Sequence, residues 1–265
     1  MSTLTWVFCL VRAARRPSLR DAPPPVPGGD AVALLDAGQG LWAAVTHVPA
    51  REYDADAVVR GLSNLDWVAA RAMAHEAVVE HFLGAAALLP MQLFTLFTSD
   101  DRVLAHLARD RRRIDRVLAR IDRQVEWGLR LTFDDRASAG AGAGGRRSTG
   151  KRPPESGAAY LTRKRDAVRA SQAGLAQARA ESNRLYRALA REATASRRHP
   201  ATEQAAPGSR VLVDAAFLVP VRRTAAFRTA LRQQARVLSA PGVVVSLTGP
   251  WPPYNFVTSG PRHTS

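Results

Sequence analysis

The stretch that most constrains the fold lies near the end of the chain and reads Gly249-Pro250-Trp251-Pro252-Pro253-Tyr254-Asn255-Phe256-Val257. Each proline fixes φ and removes a backbone donor, so this segment is predicted to run as an extended or turning ribbon. A segment this apolar is expensive to expose, and its rings are therefore expected to pack on a domain or on a partner. It follows the β-branched run 243–248, which predicts a buried strand.

Composition describes a globular chain that is large enough for two modest domains or one large one, with 265 residues, 46% hydrophobic and 23% charged. The single cysteine, Cys9, lies in an apolar run and is expected to be a small buried residue, because one thiol forms neither an internal disulfide nor a metal cluster. The start lacks the pattern of a signal peptide, and the apolar stretches are shorter than the roughly 20 residues of a membrane span. A cytoplasmic location without membrane contact is expected.

The positive charge is concentrated in the second half of the chain. Residues 1–133 hold 16 arginines against 15 acidic residues, whereas residues 134–265 hold 22 basic against 8 acidic residues. This asymmetry suggests an acidic partner, nucleic acid or a membrane surface for the second half. Coding bias is the competing explanation, since 36 of the 38 basic residues are arginine and alanine is abundant.

In the first half, the pattern predicts strands at 4–11, 31–36 and 41–48, with Gly38 and Gly40 at a hairpin turn. Helices are expected after caps at Asp54 or Asp56, at Asn64 and at Ser99, the last running to about 121. A strand is predicted at 88–97. The helix that follows Asn64 is expected to pack on the sheet through one apolar face, formed by Leu65, Val68, Ala72, Val79 and Leu83.

In the second half, strands are predicted at 125–133 and 211–219, helices at 157–199 and 224–239, and a final strand after them. Residues 134–156 are expected to form a flexible Gly/Ala/Arg-rich loop. The long helix carries a weak coiled-coil seam, in which apolar or small residues fall every seven positions: Leu161, Val168, Leu175, Ser182 and Leu189.

These elements predict an α+β fold of two domains, 1–122 and 123–265, in which the loop is an excursion inside the second domain. A boundary at the loop itself is the alternative. The order strand, helix, strand, helix, strand suits a modified ferredoxin-like second domain with a long helix.

Motifs that resemble catalytic sites fail on their context. Residues 145–151 match the spacing of a phosphate loop, but Arg152 occupies the hydroxyl position and no strand feeds the loop. His75-Glu76 opens a zinc-protease pattern, yet Val79 stands where the second ligand belongs, so a surface histidine is expected. No catalytic, metal or cofactor site is therefore predicted, and the chain is not expected to be an enzyme.

Seven segments of the chain follow one another in a fixed order along the sequence. They are Trp6-Val7-Phe8, Leu65-Asp66-Trp67, 88–97, Glu126-Trp127-Gly128, Ala159-Tyr160-Leu161, 214–220 and the final ribbon. In this the chain resembles the GvpL/GvpF family of gas vesicle accessory proteins. The resemblance implies two α+β domains and a non-enzymatic assembly or shell-associated protein of gas vesicles, which contacts the apolar shell protein and supports its ordered deposition. It also implies contact with other accessory proteins. Gln92 departs from the family, which often has a basic residue there.

The residues expected to contact a partner lie in the ribbon and in the segment 91–97: Trp251, Tyr254, Phe256, Leu93, Phe94 and Phe97. Packing within the chain is the alternative role for all six. The rival function is binding of nucleic acid, which the basic second half motivates. The lack of a recognised binding motif and the rarity of aromatic residues among the arginines of 157–199 argue against it.

Overall fold

The computed structural model describes residues 2–134, 157–200 and 208–257, so most of the predicted loop at 134–156 lies outside the described residues. The chain divides into two compact units. The described part of the first contains residues 2–126 and 250–257, and that of the second lies within 127–249. The chain leaves the first unit within one strand and returns to it at the final ribbon. The domain boundary at 122 stays a prediction.

The elements of the first unit are β1 Thr3–Arg12, β2 Ala33–Asp36, β3 Leu41–Pro49, α1 Ala50–Tyr53, α2 Ala55–Gly61, α3 Leu65–His81, β4 Ala87–Pro90, β5 Leu96–Phe97, α4 Asp100–Arg109 and α5 Arg111–Arg120. Then follow β6 Gln124–Asp134, α6 Gly157–Glu192, β7 Ala195–Arg198, β8 Ser209–Pro220, a 3₁₀ turn Val221–Arg223, α7 Thr224–Arg236, β9 Val243–Trp251 and α8 Tyr254–Val257.

Three predicted helix caps are confirmed. The side chains of Asp54, Asn64 and Ser99 accept hydrogen bonds from backbone N–H groups in the first turns of α2, α3 and α4, at 2.8, 3.1 and 3.3 Å. Each satisfies one of the donors that a helix start leaves unpaired. The predicted helix at 100–121 is interrupted at Asp110, which ends α4 and precedes α5.

The first sheet is built around β1, in the order β2-β3-β1-β4, with β5 also pairing with β1. All its pairings are antiparallel. The hairpin between β2 and β3 is confirmed, and Gly38 and Gly40 adopt φ of +79° and +70° there. Cys9 is fully buried in β1, as expected, and this burial raises the pKa of its thiol.

The prediction of one strand at 88–97 is wrong. The chain pairs with β1 through β4, leaves it for residues 91–95, and pairs again through β5. The excursion is tied to β1 at both ends, by Met91 N–H to the Phe8 carbonyl and by Val7 N–H to the Thr95 carbonyl, each at 2.9 Å. Phe94 takes φ of +63° at its tip. A left-handed residue cannot continue a ladder, so the strand divides.

The predicted apolar face of α3 is only partly confirmed, because Val79 is buried and Leu83 packs against the core, whereas Leu65 is 80% exposed. The other buried residues of this helix are Arg71, His75 and Val78. Hydrophobic spacing missed Arg71 and His75, two polar side chains that find partners inside the unit.

The second sheet has the order β7-β8-β6-β9. Asp134 N–H donates to the Gly242 carbonyl at 2.8 Å, so the end of β6 lies beside the start of β9. The prediction of a buried final strand is wrong, because β9 is an edge strand in which half-buried and exposed residues alternate. Pro250 fits there, since an edge strand tolerates a missing donor. The long helix ends at Glu192, and β7 occupies part of the predicted helical range 157–199.

Candidate functional site

An aromatic cluster fills the first unit beside β1, with Trp6 at its centre. The Trp6 ring meets Tyr53 edge-on at 5.6 Å between centroids and Phe94 at 5.2 Å. Phe94 also stacks on Trp67 at 5.4 Å and 14°. Such edge-to-face and offset contacts stabilise aromatic pairs beyond simple burial. The left-handed backbone of Phe94 therefore serves to place its ring between two tryptophans.

Arg71 of α3 is stacked on this cluster. Its charged side chain is buried, since the residue is only 7% exposed. Its guanidinium carbon lies 3.8 Å from the centroid of the Trp67 ring and 5.1 Å from that of Tyr53. Its Nη1 donates to the Trp67 carbonyl at 3.1 Å, while its Nε finds no hydrogen-bond partner among the described residues. The two rings supply the electrostatic compensation that a carboxylate would normally give. The Trp-x₃-Arg spacing, one helical turn, was the sequence signal for this pair.

His75 is a buried core residue, so the expectation of a surface histidine is wrong. Trp6 Nε1–H donates to His75 Nδ1 at 3.0 Å, and His75 Nε2–H in turn donates to the Met91 carbonyl at 3.2 Å. Because the indole is only a donor, the neutral tautomer with its proton on Nε2 satisfies both bonds. Burial lowers the pKa of His75 to about 4, against a smaller upward effect of the Met91 carbonyl. His75 thus links β1 to the excursion between β4 and β5.

An apolar groove of about 550 Å³ opens next to the cluster. Its lining comes from β1, α1, α2, the excursion and the segment after it, and consists of Leu4, Tyr53, Asp54, Ala55, Val58, Phe94, Leu96, Phe97 and Thr98. Two of the six predicted contact residues, Phe94 and Phe97, therefore share one groove. Phe97 also packs against His106, with ring centroids 5.3 Å apart.

Exposed apolar side chains are concentrated in one stretch of the sequence, which overlaps α2 and the start of α3. Among the described residues, four of the eleven large exposed ones fall within 59–73: Val59, Leu62, Leu65 and Met73, at 56–80% exposure. No residue of α2 is buried, although Ala55 and Val58 line the groove.

The final ribbon lies on the first unit and is held by side-chain hydrogen bonds. Tyr254 O–H donates to Glu76, and Asn255 N–H donates to Glu126 at 2.8 Å. Arg120 donates to the Phe256 carbonyl. Pro252 and Pro253 are buried, and the side chains from Tyr254 to Val257 are half-buried. The expectation that the ribbon packs on a domain holds for these residues, but Trp251 is 37% exposed.

Glu76 and Tyr254 border a second cavity, of about 320 Å³, which also brings in Leu93. Burial raises the pKa of the Glu76 carboxyl, and the hydrogen bond from Tyr254 opposes that rise. Burial and the same carboxylate raise the pKa of the Tyr254 phenol. The pair is therefore a satisfied hydrogen bond that anchors the ribbon.

The titratable side chains of the described residues form no group of three that is arranged to hold a metal ion. Asp100 accepts from Thr5 Oγ1 at 2.7 Å and contacts His47 Nε2 at 2.9 Å, at the start of α4. This is an ordered polar cluster at a helix start, where a carboxylate is favoured. The apparent phosphate loop at 145–151 lies outside the described residues.

The family follows from a comparison of the whole chain. A family model described as "Gas vesicle synthesis protein GvpL/GvpF" matches residues 4–258. The chain belongs to this family. It is similar to "Gas vesicle protein L" of Streptomyces sp. (strain CB03234), with 36% identity over 233 residues that cover 86% of this chain and 84% of that protein.

Solved structures show that the fold is shared. The crystal structure of the gas vesicle protein GvpF from Anabaena sp. PCC7120 matches with a TM-score of 0.67 at 14% identity, over 98% of each chain. That of GvpF from Microcystis aeruginosa matches with a TM-score of 0.60 at 13% identity, over 97% of this chain and 99% of that one. The common fold is mixed, with helices and two antiparallel sheets. No helix among the described residues is long and apolar enough to cross a membrane.

Proposed function

We propose that this gas vesicle family member is a non-catalytic assembly factor, which binds the hydrophobic shell protein in the cytoplasm and supports ordered growth of the vesicle. Membership of the GvpL/GvpF family supports the link to gas vesicles. The observation that carries the binding role is the apolar groove of the first unit beside the exposed side chains of 59–73.

A protein that lines a gas space must expose apolar surface, and such surface aggregates in water unless it is covered. The groove is lined by Val58, Phe94 and Phe97, and α2 adds Val59 on its exposed side. These side chains can cover an apolar helix or strand of the shell protein. The packed core beneath these side chains preorganises the surface before the partner binds, and this lowers the entropy lost on binding.

The ribbon adds the remaining candidates to the proposed contact surface. Trp251 offers an exposed ring, whereas Tyr254, Phe256 and Leu93 are half-buried. We place them at the margin of the contact, because their exposed edges are smaller than those of Val59 and its neighbours. Other accessory proteins of the vesicle remain proposed partners as well.

We also propose that the two units are separate domains and that the second is ferredoxin-like. The element order β6-α6-β7-β8-α7-β9 and the sheet order β7-β8-β6-β9 support this assignment, because a split βαβ fold places its first and third strands side by side in the centre.

The binding role is tested by co-expression with a gas vesicle shell protein. We expect the wild-type chain to increase the fraction of shell protein that stays in solution after centrifugation. Val59→Asp combined with Leu62→Asp should abolish that increase, because two charges then enter the apolar surface. Both side chains are exposed, so the stability of the first unit should change by less than about 0.5 kcal/mol each.

The matched control is Val237→Asp combined with Val221→Asp, two exposed valines of the second unit. This pair should keep the shell protein in solution as well as the wild type does. Equal loss in both double variants would show that charge alone acts, and retention in both would contradict the proposed surface.

A further inference from the structure

The long helix α6 is covered along only part of its length. It has 36 residues and so measures about 54 Å. Every residue from 158 to 173 is exposed, whereas Ala178, Ser182, Leu185 and Leu189 are buried in the second unit. We call residues 158–173 the exposed half of α6.

The C-terminal part of α6 shows how the helix packs where it is buried. Ala178 packs with Phe133 and Ala240, and Leu175 lies at the edge of that cluster. Glu181 accepts hydrogen bonds from the backbone of Ser239 and Ala240 at 2.9 and 3.0 Å. The second unit therefore fixes the C-terminal part of α6 firmly.

The seam of α6, in which apolar or small residues recur every seven positions, continues from the buried part into the exposed half. Leu189 and Ser182 are fully buried and Leu175 is half-buried, but Val168 is 49% and Leu161 65% exposed. A repeat of seven places these side chains along one seam, the arrangement that packs against another helix. Continuing the seam would bury the two exposed side chains.

The exposed half of α6 is basic. The exposed half holds four basic residues against the single acid Asp166. Lys164 lies in the seam itself, three residues after Leu161, and Arg165 lies on its flank, where paired helices exchange charges. A partner that buries Leu161 and Val168 must therefore also present carboxylates to these cations.

Nucleic acid meets only one of these two conditions. Its phosphates would neutralise the arginines and Lys164, but they offer nothing apolar to Leu161 and Val168. A second copy of the same helix would bury the seam, but it would also bring the Lys164 and Arg165 side chains of the two copies together, and like charges in close contact destabilise such a pair.

We infer that the exposed half of α6 is a docking site for an acidic amphipathic helix of a partner protein. The partner helix extends the packing that the second unit already gives the C-terminal part of α6, and its carboxylates pair with Lys164 and Arg165. This site is separate from the apolar groove of the first unit and takes a different kind of ligand. It therefore does not depend on the proposed binding of the shell protein.

The test uses the full chain and two synthetic amphipathic helices of equal length. Both have leucine along the seam, and one has glutamate on both flanks while the other has lysine. Binding is followed by fluorescence anisotropy of the labelled peptide. We expect the glutamate peptide to bind and the lysine peptide not to bind, and we expect the affinity to fall as salt is added.

Two double variants separate the two parts of the site. Leu161→Ala with Val168→Ala removes apolar bulk but keeps a good helix former, and should weaken binding of the glutamate peptide at least about tenfold. Lys164→Glu with Arg165→Glu should abolish it and favour the lysine peptide. Arg222→Glu with Arg232→Glu changes the same charge at exposed positions outside α6 and should leave the preference unchanged.

Three results would overturn the inference. One is unchanged peptide binding in the Leu161→Ala, Val168→Ala variant. Another is tighter binding of duplex DNA than of the glutamate peptide, with no effect of that variant, which would assign the surface to nucleic acid. The third is a dimer in sedimentation velocity that this variant dissociates, which would assign the seam to a second copy of the chain. Circular dichroism checks that the variants keep their helix content.

Discussion

Two regions of the molecule expose large apolar side chains, and they differ in what lies beneath them. Residues 59–73 stand on the aromatic cluster of the first unit, where Trp6 and Tyr53 are fully buried. Residues 158–173 are the part of α6 in which every side chain is exposed. The first region is a preformed surface on a rigid core. The second is an extension whose helix is supported by alanine-rich sequence and by continuity with the buried part of α6.

The largest loss of stability is expected from Trp6→Ala, which tests whether the aromatic cluster supports the first of these regions. The Trp6 side chain is fully buried, contacts four rings and donates to His75, so its loss should lower the free energy of unfolding of the first unit by about 3–5 kcal/mol. Denaturant unfolding followed by tryptophan fluorescence measures the change. A loss below 1 kcal/mol would mean that the cluster does not support the groove.

A change of pH should weaken the first unit through His75. The pKa of His75 is lowered to about 4 in the folded chain, whereas an unfolded histidine titrates near 6.5, so the unfolded state binds more protons between these values. Stability should therefore be complete above about pH 6.5 and fall by at most about 3 kcal/mol as the pH drops towards 4.

Thermal unfolding at several pH values measures this dependence, and His75→Phe is the control. That variant should be less stable at pH 7, since Trp6 loses its acceptor, but its stability should no longer change between pH 6.5 and 4 on account of this residue. An NMR titration of His75 with a midpoint near 6.5 would contradict the assignment.

In the second unit, Glu181 should make stability depend on pH in a lower range. Burial favours a higher pKa for this carboxyl, but hydrogen bonds from Ser239, Ala240 and Gln177 outweigh it and lower the pKa to about 2. The carboxylate therefore contributes stability above about pH 4.5, which is lost as the pH falls towards 2.

Glu181→Gln keeps the shape of the side chain and removes the charge. It should lower the free energy of unfolding of the second unit at pH 7 by about 1–2 kcal/mol, because charge-assisted hydrogen bonds become neutral ones. Denaturant unfolding monitored by circular dichroism measures it. Equal stability of variant and wild type at pH 7 would show that the charge at Glu181 contributes nothing.

The smallest effect on stability is expected from Leu161→Ala with Val168→Ala in the exposed half of α6. These side chains are 65% and 49% exposed, so the free energy of unfolding should change by less than about 0.5 kcal/mol. Unfolding experiments on the isolated chain check this. A loss as large as that from Glu181→Gln would show that the seam is covered within the chain, and the contrast between the two regions would disappear.

Much of the fold was predictable from local signals. The starts of α2, α3 and α4 follow from the short-range capping of Asp54, Asn64 and Ser99, and the hairpin follows from Gly38 and Gly40. The misses share a cause. The buried face of α3 and the division of the strand at 88–97 depend on His75 and Phe94, whose partners lie far away in the sequence.

The candidate site was only partly predictable. Spacing and resemblance selected Phe94 and Phe97, which line the groove, and the seam of α6. The spacing of Trp67 and Arg71, one helical turn, permits their contact but does not show that the pair is buried inside the first unit. Nor did spacing reveal that Val59 and Leu62 stay exposed, since an apolar residue on a short helix is equally compatible with burial.

The sequence by itself determined the secondary structure wherever a cap, a glycine turn or a heptad repeat acts within a few residues, and it determined the family through motifs spread along the chain. Only the tertiary structure decided which side of α3 faces inward, where the ribbon after β9 returns, and which part of the α6 seam is left uncovered. Those choices depend on contacts between residues distant in sequence, whose energies local patterns do not encode.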